Sequence, residues 1–287
     1  MRLGVAVLIL VTAQAVYAQG SLTISTEPNA MVWVDEIRRG TTDASGKITI
    51  PKVSAGRHSV RVRATGFKES VTPLIPGRHA LSLKLLPTTD QAELLFQQAE
   101  AARDKASLEN AADLYRQAIK LRPAFPAAHV GLARVLLDLN QFKEAHAEIE
   151  AARRTRSAYA EASAVEGRIY REEAFADDAI RSFRRAIREG NGLQPEAYVG
   201  MARVLEDKGD YAGAIANFQK ALAQLADSEP VIYQMAGAAY ERVNKPKEAV
   251  AAYEKYLQLA PNGSYAAAIR SILDQLKREA AGEQIIP

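Results

Sequence analysis

Cysteine is absent from all 287 residues. No disulfide can form, no thiol can act as a nucleophile, and no lipid can be attached through a cysteine. Whatever folds here is held by core packing alone. Histidine is scarce, with four in the chain (His58, His79, His129 and His146). None has the spacing of a metal site, so no metal and no cofactor is expected. The net charge of +3 is too small to point to nucleic acid. There is no glycine-rich phosphate loop, no GxSxG elbow and no HExxH. Acidic residues are spread over helix faces without a pair that stands out as an acid/base couple. These absences predict a protein that is not an enzyme.

Long apolar runs are missing too. The stretch from Leu3 to Val11 is too short to cross ~30 Å of hydrocarbon. With Arg2 before it and Val16-Tyr17-Ala18 after it, residues 1–18 have the anatomy of a cleavable export signal cut after Ala18. The expectation is a soluble periplasmic or extracellular protein that touches a membrane only through this transient segment.

Two blocks of different composition follow. Residues 19–88 hold ten Lys and Arg against five Asp and Glu, so the basic charge is concentrated there. Apolar residues alternate in pairs at Leu22/Ile24, Val32/Val34, Ile48/Ile50, Val60/Val62 and Leu81/Leu83/Leu85, the period of a strand. Ala44-Ser45-Gly46, Ser54-Ala55-Gly56, Thr65-Gly66 and Pro76-Gly77 punctuate them as turns. Six or seven short strands in residues 19–87 predict a small all-β sandwich. Pro28-Asn29 suits a tight turn, because Asn tolerates the left-handed backbone. His58 and His79 share parity with the apolar residues of their strands. Arg61 and Arg63 point the other way, toward a basic outer face that either stays solvated or meets an anionic glycan.

Asn29-Ala30, Val32-Trp33-Val34-Asp35, Gly40-Thr41-Thr42, Ala55-Gly56-Arg57-His58 and Gly66-Phe67 together resemble a PEGA domain. The resemblance implies a bacterial envelope or surface protein and brings no catalytic residues. This copy departs from the pattern at Glu27, where a proline is usual, and at Asn29 and Glu36, which replace glycines.

After a linker at 88–91, glycine thins out and alanine and leucine take over. Small residues recur at Ala99, Ala133, Gly167, Ala202 and Gly237, at intervals of 34, 34, 35 and 35. Twelve residues after each stands an alanine (Ala111, Ala145, Ala179, Ala214 and Ala249). Four further on is a large residue (Tyr115, Ile149, Phe183, Phe218 or Tyr253). Small residues let paired helices approach closely, and the large one fills the gap between hairpins. The pattern resembles the tetratricopeptide repeat, with GDYAGAIANFQKAL (209–222) and KPKEAVAAYEKYL (245–257) the clearest copies. It predicts five helical hairpins over 92–263. A capping helix is expected over 264–280, with Tyr265, Ile269, Ile272, Leu273 and Leu276 as its apolar stripe, followed by a tail at 281–287. The fold class expected is multidomain, a small all-β sandwich followed by an all-α solenoid.

In tetratricopeptide arrays the first helix of each hairpin lines a concave surface, and the resemblance implies that surface here. The residues after the small positions are Glu100, Arg134, Arg168, Arg203 and Ala238. Arg134, Arg168 and Arg203 form a ladder suited to carboxylates. Asp138, Glu172 and Asp207, four residues further on, would partly neutralise it. Changing the three arginines together to alanine should then abolish partner capture and leave the helices intact. The function expected is a non-catalytic scaffold of the bacterial envelope that holds a partner protein or peptide in its groove. The alternative is binding of cell-wall or surface polysaccharide through the basic β-module, although Trp33 and Phe67 offer little aromatic surface for stacking on sugars.

Overall fold

The computed structural model describes residues 20–35, 37–53, 57–225 and 227–282. Residues 1–18, the expected export signal, lie outside the described residues, as do Glu36, the expected turn at 54–56 and residues 283–287.

Among the described residues seven strands come first: β1 (Gly20–Ser25), β2 (Met31–Val34), β3 (Ile37–Thr41), β4 (Lys47–Val53), β5 (His58–Arg63), β6 (Ser70–Leu74) and β7 (Ala80–Ser82). They form two small sheets, ordered β4-β1-β7 and β3-β2-β5-β6. All pairs are antiparallel except β1 with β7, where Thr23 lies opposite Ala80. Leu22, Ile24, Ile50 and Leu81 of one sheet share a core with Val32, Val34, Val60, Val62 and Leu74 of the other. The strands that carry no apolar alternation, β3 and β6, are the two edges of the larger sheet. An edge strand is covered less completely, so its sequence need not alternate. Strand β7 ends at Ser82, earlier than the Leu81/Leu83/Leu85 pattern suggests, yet Leu85 is still buried. Asn29 takes φ 55°, as its place in the turn requires. Glu27 accepts a hydrogen bond from the Leu85 backbone at 3.0 Å, so the residue standing in place of a proline ties the start of the module to its end.

Ten helices then pair into five hairpins: α1 (Gln91–Asp104) with α2 (Leu108–Leu121), α3 (Pro126–Asp138) with α4 (Phe142–Thr155), α5 (Ala160–Glu172) with α6 (Ala176–Glu189), α7 (Pro195–Asp207) with α8 (Tyr211–Leu225), and α9 (Val231–Arg242) with α10 (Pro246–Leu259). Asp90 caps α1, accepting from the backbone N–H groups of Ala92 and Glu93. The small and large residues of the repeat are almost wholly buried. Their interlock reaches across hairpins: a Cβ at Gly131 would lie 2.5 Å from the Tyr115 ring, and one at Gly200 2.2 Å from Phe183. The first helix of each hairpin ends on a left-handed residue, at Ala106, Asn140, Ala174, Gly209 and Asn244 in turn. Asn and Gly accept this conformation, whereas for alanine it is strained by roughly 1–2 kcal/mol. Ala106→Gly with Ala174→Gly should therefore raise stability, by about 0.5–1 kcal/mol per site after the extra freedom of the unfolded glycine is deducted. A thermal melt checks this; a lower transition temperature would contradict it.

The last helix, α11 (Ala266–Ala281), packs on α10 through Ala266, Ile269, Leu273 and Leu276. Its stripe is narrower than the sequence suggests, since Tyr265 and Ile272 stay 43 % and 37 % exposed. Among the described residues α10 is the main neighbour of α11, and one main neighbour shields a narrow seam.

Candidate interaction groove

Helices α1, α3, α5, α7 and α9 form the inner wall. Glu100, Arg134, Arg168 and Arg203 all reach one chamber of about 980 Å³, whereas Ala238 does not. The opposite wall is not solvent. It is the β-module, which contributes Met31, Trp33, Asp35, Arg38, Arg61 and Arg63. Among the described residues the chamber is lined by nine arginines and nine acidic residues, with no lysine, so these charges balance.

Arg61 and Arg63 do lie on the face away from the β-core, but that face is turned into the array. Arg63 is 4 % exposed and bridges Glu69 at 2.7 Å and Glu100 of α1 at 3.2 Å. Its guanidinium also lies over the Phe96 ring, 4.6 Å from the centroid. Arg61 stacks on Trp33 at 4.4 Å and lies 3.7 Å from Glu69. The open basic face expected for a glycan is therefore replaced by an intramolecular contact. The energetic reason is that a desolvated arginine needs carboxylates and aromatic rings around it, and α1 supplies both.

The arginine ladder is also wired differently from the sequence reading. Arg134 forks onto Glu196 of α7 at 2.7 and 2.6 Å and reaches Glu161 of α5 at 3.3 Å. Arg168 meets Asp138 at 3.3 Å and Glu196 at 3.6 Å. None of the three ladder arginines pairs with the acid four residues on. Arg-to-acid in that order is the weaker helical arrangement, and the curvature of the array brings α3, α5 and α7 close enough for better partners. Burial alone would lower the Arg134 pKa, but Glu196 and Glu161 raise it above its ordinary value. Burial likewise opposes ionisation of Glu196, yet Arg134 and then Arg168 hold its carboxyl down at about 2. Arg203 is the exception. It is exposed and makes no ion pair among the described residues, and burial together with nearby Arg171 lowers its pKa.

Glu161 and Glu196 were not singled out from sequence, although a signal existed. They stand seven residues before Arg168 and Arg203, two helical turns back on the same face.

The histidines have local partners. His58 lies 2.6 Å from Asp35, His129 2.6 Å from Glu148, His146 2.8 Å from Glu173, and His79 3.2 Å from the Ser21 carbonyl. Among the described residues no three His, Asp or Glu side chains are placed to hold a metal ion.

Comparison with known proteins agrees with the helical part. Family models described as tetratricopeptide repeat match residues 102–169 and 193–262. No curated protein matches the chain. Among solved structures, a thermophilic TPR protein of Thermus thermophilus is 20 % identical, with a TM-score of 0.55, covering 65 % of this chain and 98 % of its own. The Pseudomonas aeruginosa protein pilF is 17 % identical, TM-score 0.57, covering 68 % and 89 %. PilW, described as a type IV pilus biogenesis factor, is 15 % identical, TM-score 0.57, covering 68 % and 88 %. At these identities the likeness concerns the fold.

Proposed function

Since the chain carries tetratricopeptide repeats, a class of non-catalytic protein-interaction scaffold, we propose that it holds a partner protein or peptide of the bacterial envelope against its concave wall. The observation that carries this reading is the run of inner-face arginines, of which Arg203 makes no ion pair among the described residues and Arg168, paired with Asp138 and Glu196, keeps 36 % of its side chain exposed. Arginine's planar fork suits acidic side chains or a chain end. The N-terminal export pattern supports placement outside the cytoplasm, and the likeness of the β-module to PEGA domains supports an envelope setting. Polysaccharide binding through Arg61 and Arg63 is the weaker reading, because that face is occupied.

The test is Arg168→Ala with Arg203→Ala in the native cell, followed by crosslinking and recovery of the bound partner. Each charge-assisted hydrogen bond is worth roughly 1.5–3 kcal/mol, so recovery should fall at least about tenfold. Undiminished recovery would remove the ladder from the interface. Arg134 is left out of this variant because it holds the wall together.

A further inference from the structure

The β-module spans the mouth of the groove, and its two attachments are unequal. At the near side it is seated on α1. The Gln97 amide donates to the Phe67 carbonyl at 2.8 Å and its oxygen accepts from the Gly66 N–H at 2.9 Å. The Arg63–Glu100 pair stands beside them, and Gln97 is 6 % exposed. The linker enters α1 at this same place, so this attachment also carries the covalent connection. At the far side the module meets the last turn of α8, where Arg39 Nη1 donates to the Gln224 carbonyl at 2.8 Å. Here satisfaction is incomplete: Arg39 Nε and Gln224 Oε1 are buried without a hydrogen-bond partner among the described residues. A cavity of about 550 Å³ lies alongside, lined by Ile37, Arg39, Leu193, Leu222 and Tyr233 among others. Buried polar atoms without partners favour separation, and the pocket lets water reach the contact.

We infer that the β-module is a hinged lid over the concave wall, fixed at α1 through Gln97 and the Arg63–Glu100 pair, and released at the Arg39–Gln224 latch. A chamber of about 980 Å³ admits a short chain segment at most while the lid is down. Arg203 is exposed and Arg168 partly so, but a helix or a folded partner can lie along the whole wall from Arg134 to Arg203 only after the latch has parted. The lid thereby competes with the partner for the same wall and sets the apparent affinity by its own opening equilibrium. The inference rests on the concave wall being the partner surface, but its test uses no partner.

Because the chain has no cysteine, a single introduced thiol is an unambiguous reporter. Val199→Cys places one on α7 in the chamber wall. In the full chain, N-ethylmaleimide should label it readily, while a polyethylene-glycol maleimide too bulky for the chamber should react about tenfold more slowly or worse, limited by lid opening. Adding Arg39→Ala should speed the bulky reagent about tenfold and leave the small one unchanged. A second reporter, Ala186→Cys in the core between hairpins, should stay unreactive in both backgrounds, which separates lid opening from unfolding. Equal rates for both reagents with the latch intact would show that no lid is closed. An Arg39→Ala chain with an unchanged bulky-reagent rate would show that the latch does not hold it; either result overturns the inference. Loss of partner capture in Arg168→Ala/Arg203→Ala is read independently, so failure of the scaffold reading and failure of the lid are distinct outcomes.

Discussion

Phe183→Ala should remove about 3–5 kcal/mol of stability, the usual range for deleting a wholly buried aromatic ring. Phe183 has no solvent exposure, and its ring fills the space left by two glycines, Gly167 on α5 and Gly200 on α7. A Cβ at either glycine would come within 2.6 Å of that ring, so the neighbours cannot close the gap without moving whole helices. Phe183 sits in the third of five hairpins. In an array stabilised by nearest-neighbour contacts, loss of a central interface uncouples the two ends. The expected denaturant curve, followed by helical circular dichroism, is therefore both weakened and broadened into two steps. A single transition displaced by less than about 1 kcal/mol would mean that the hairpins are not held by this interlock.

Arg134→Ala should be the second most damaging change, and the result differs from what a free ladder rung would give. Its guanidinium joins α3 to α5 and α7, and removing it leaves Glu161 and Glu196 facing each other across the wall. Breaking a fully buried pair costs about 3–5 kcal/mol; these carboxylates keep 39 % and 30 % exposure, so roughly 2 kcal/mol is expected. The pH dependence carries the signature. Both carboxyls are held below their ordinary value of 4.5 in the folded chain, Glu196 at about 2. A depressed carboxylate pKa stabilises the fold above pH 4.5, and that contribution disappears as the pH falls toward 2. The unaltered chain should thus lose stability steeply over that window, while Arg134→Ala should be flatter there. Urea midpoints at several pH values measure both. Parallel curves would show that the network contributes nothing. The consequence for the triple arginine variant is direct: its effect on capture would be mixed with a weakened wall, so the expectation of intact helices does not extend to Arg134.

The repeats were legible because their signal is strictly local and repeated. Alanine or glycine at a fixed phase, with a large residue sixteen positions later, states which helices pair and which side chain separates one hairpin from the next. The alternating strands were legible for the same reason, since period two reports burial on one face. β3 and β6 were not, because an edge strand carries less of that burial. The ladder arginines could be located on the inner face, but their partners could not. Arg134 chooses Glu196, 62 residues away, over Asp138, four away. That preference depends on how far the array curves, and no helical period encodes it.

The sequence by itself determined two modules, their core residues and the inner-face register of Arg134, Arg168 and Arg203, because burial patterns repeat at the spacing of strand and helix. Only the tertiary structure decided that the β-module turns Trp33, Arg61 and Arg63 toward the groove and touches α8 at Gln224. The contact between Arg39 and Gln224 bridges 185 residues and involves a backbone carbonyl, so no side-chain pattern announces it. Such a contact follows from the angle at which one rigid body leaves another, and that angle is set by the packing of Gln97, Phe96 and Arg63 where the modules meet.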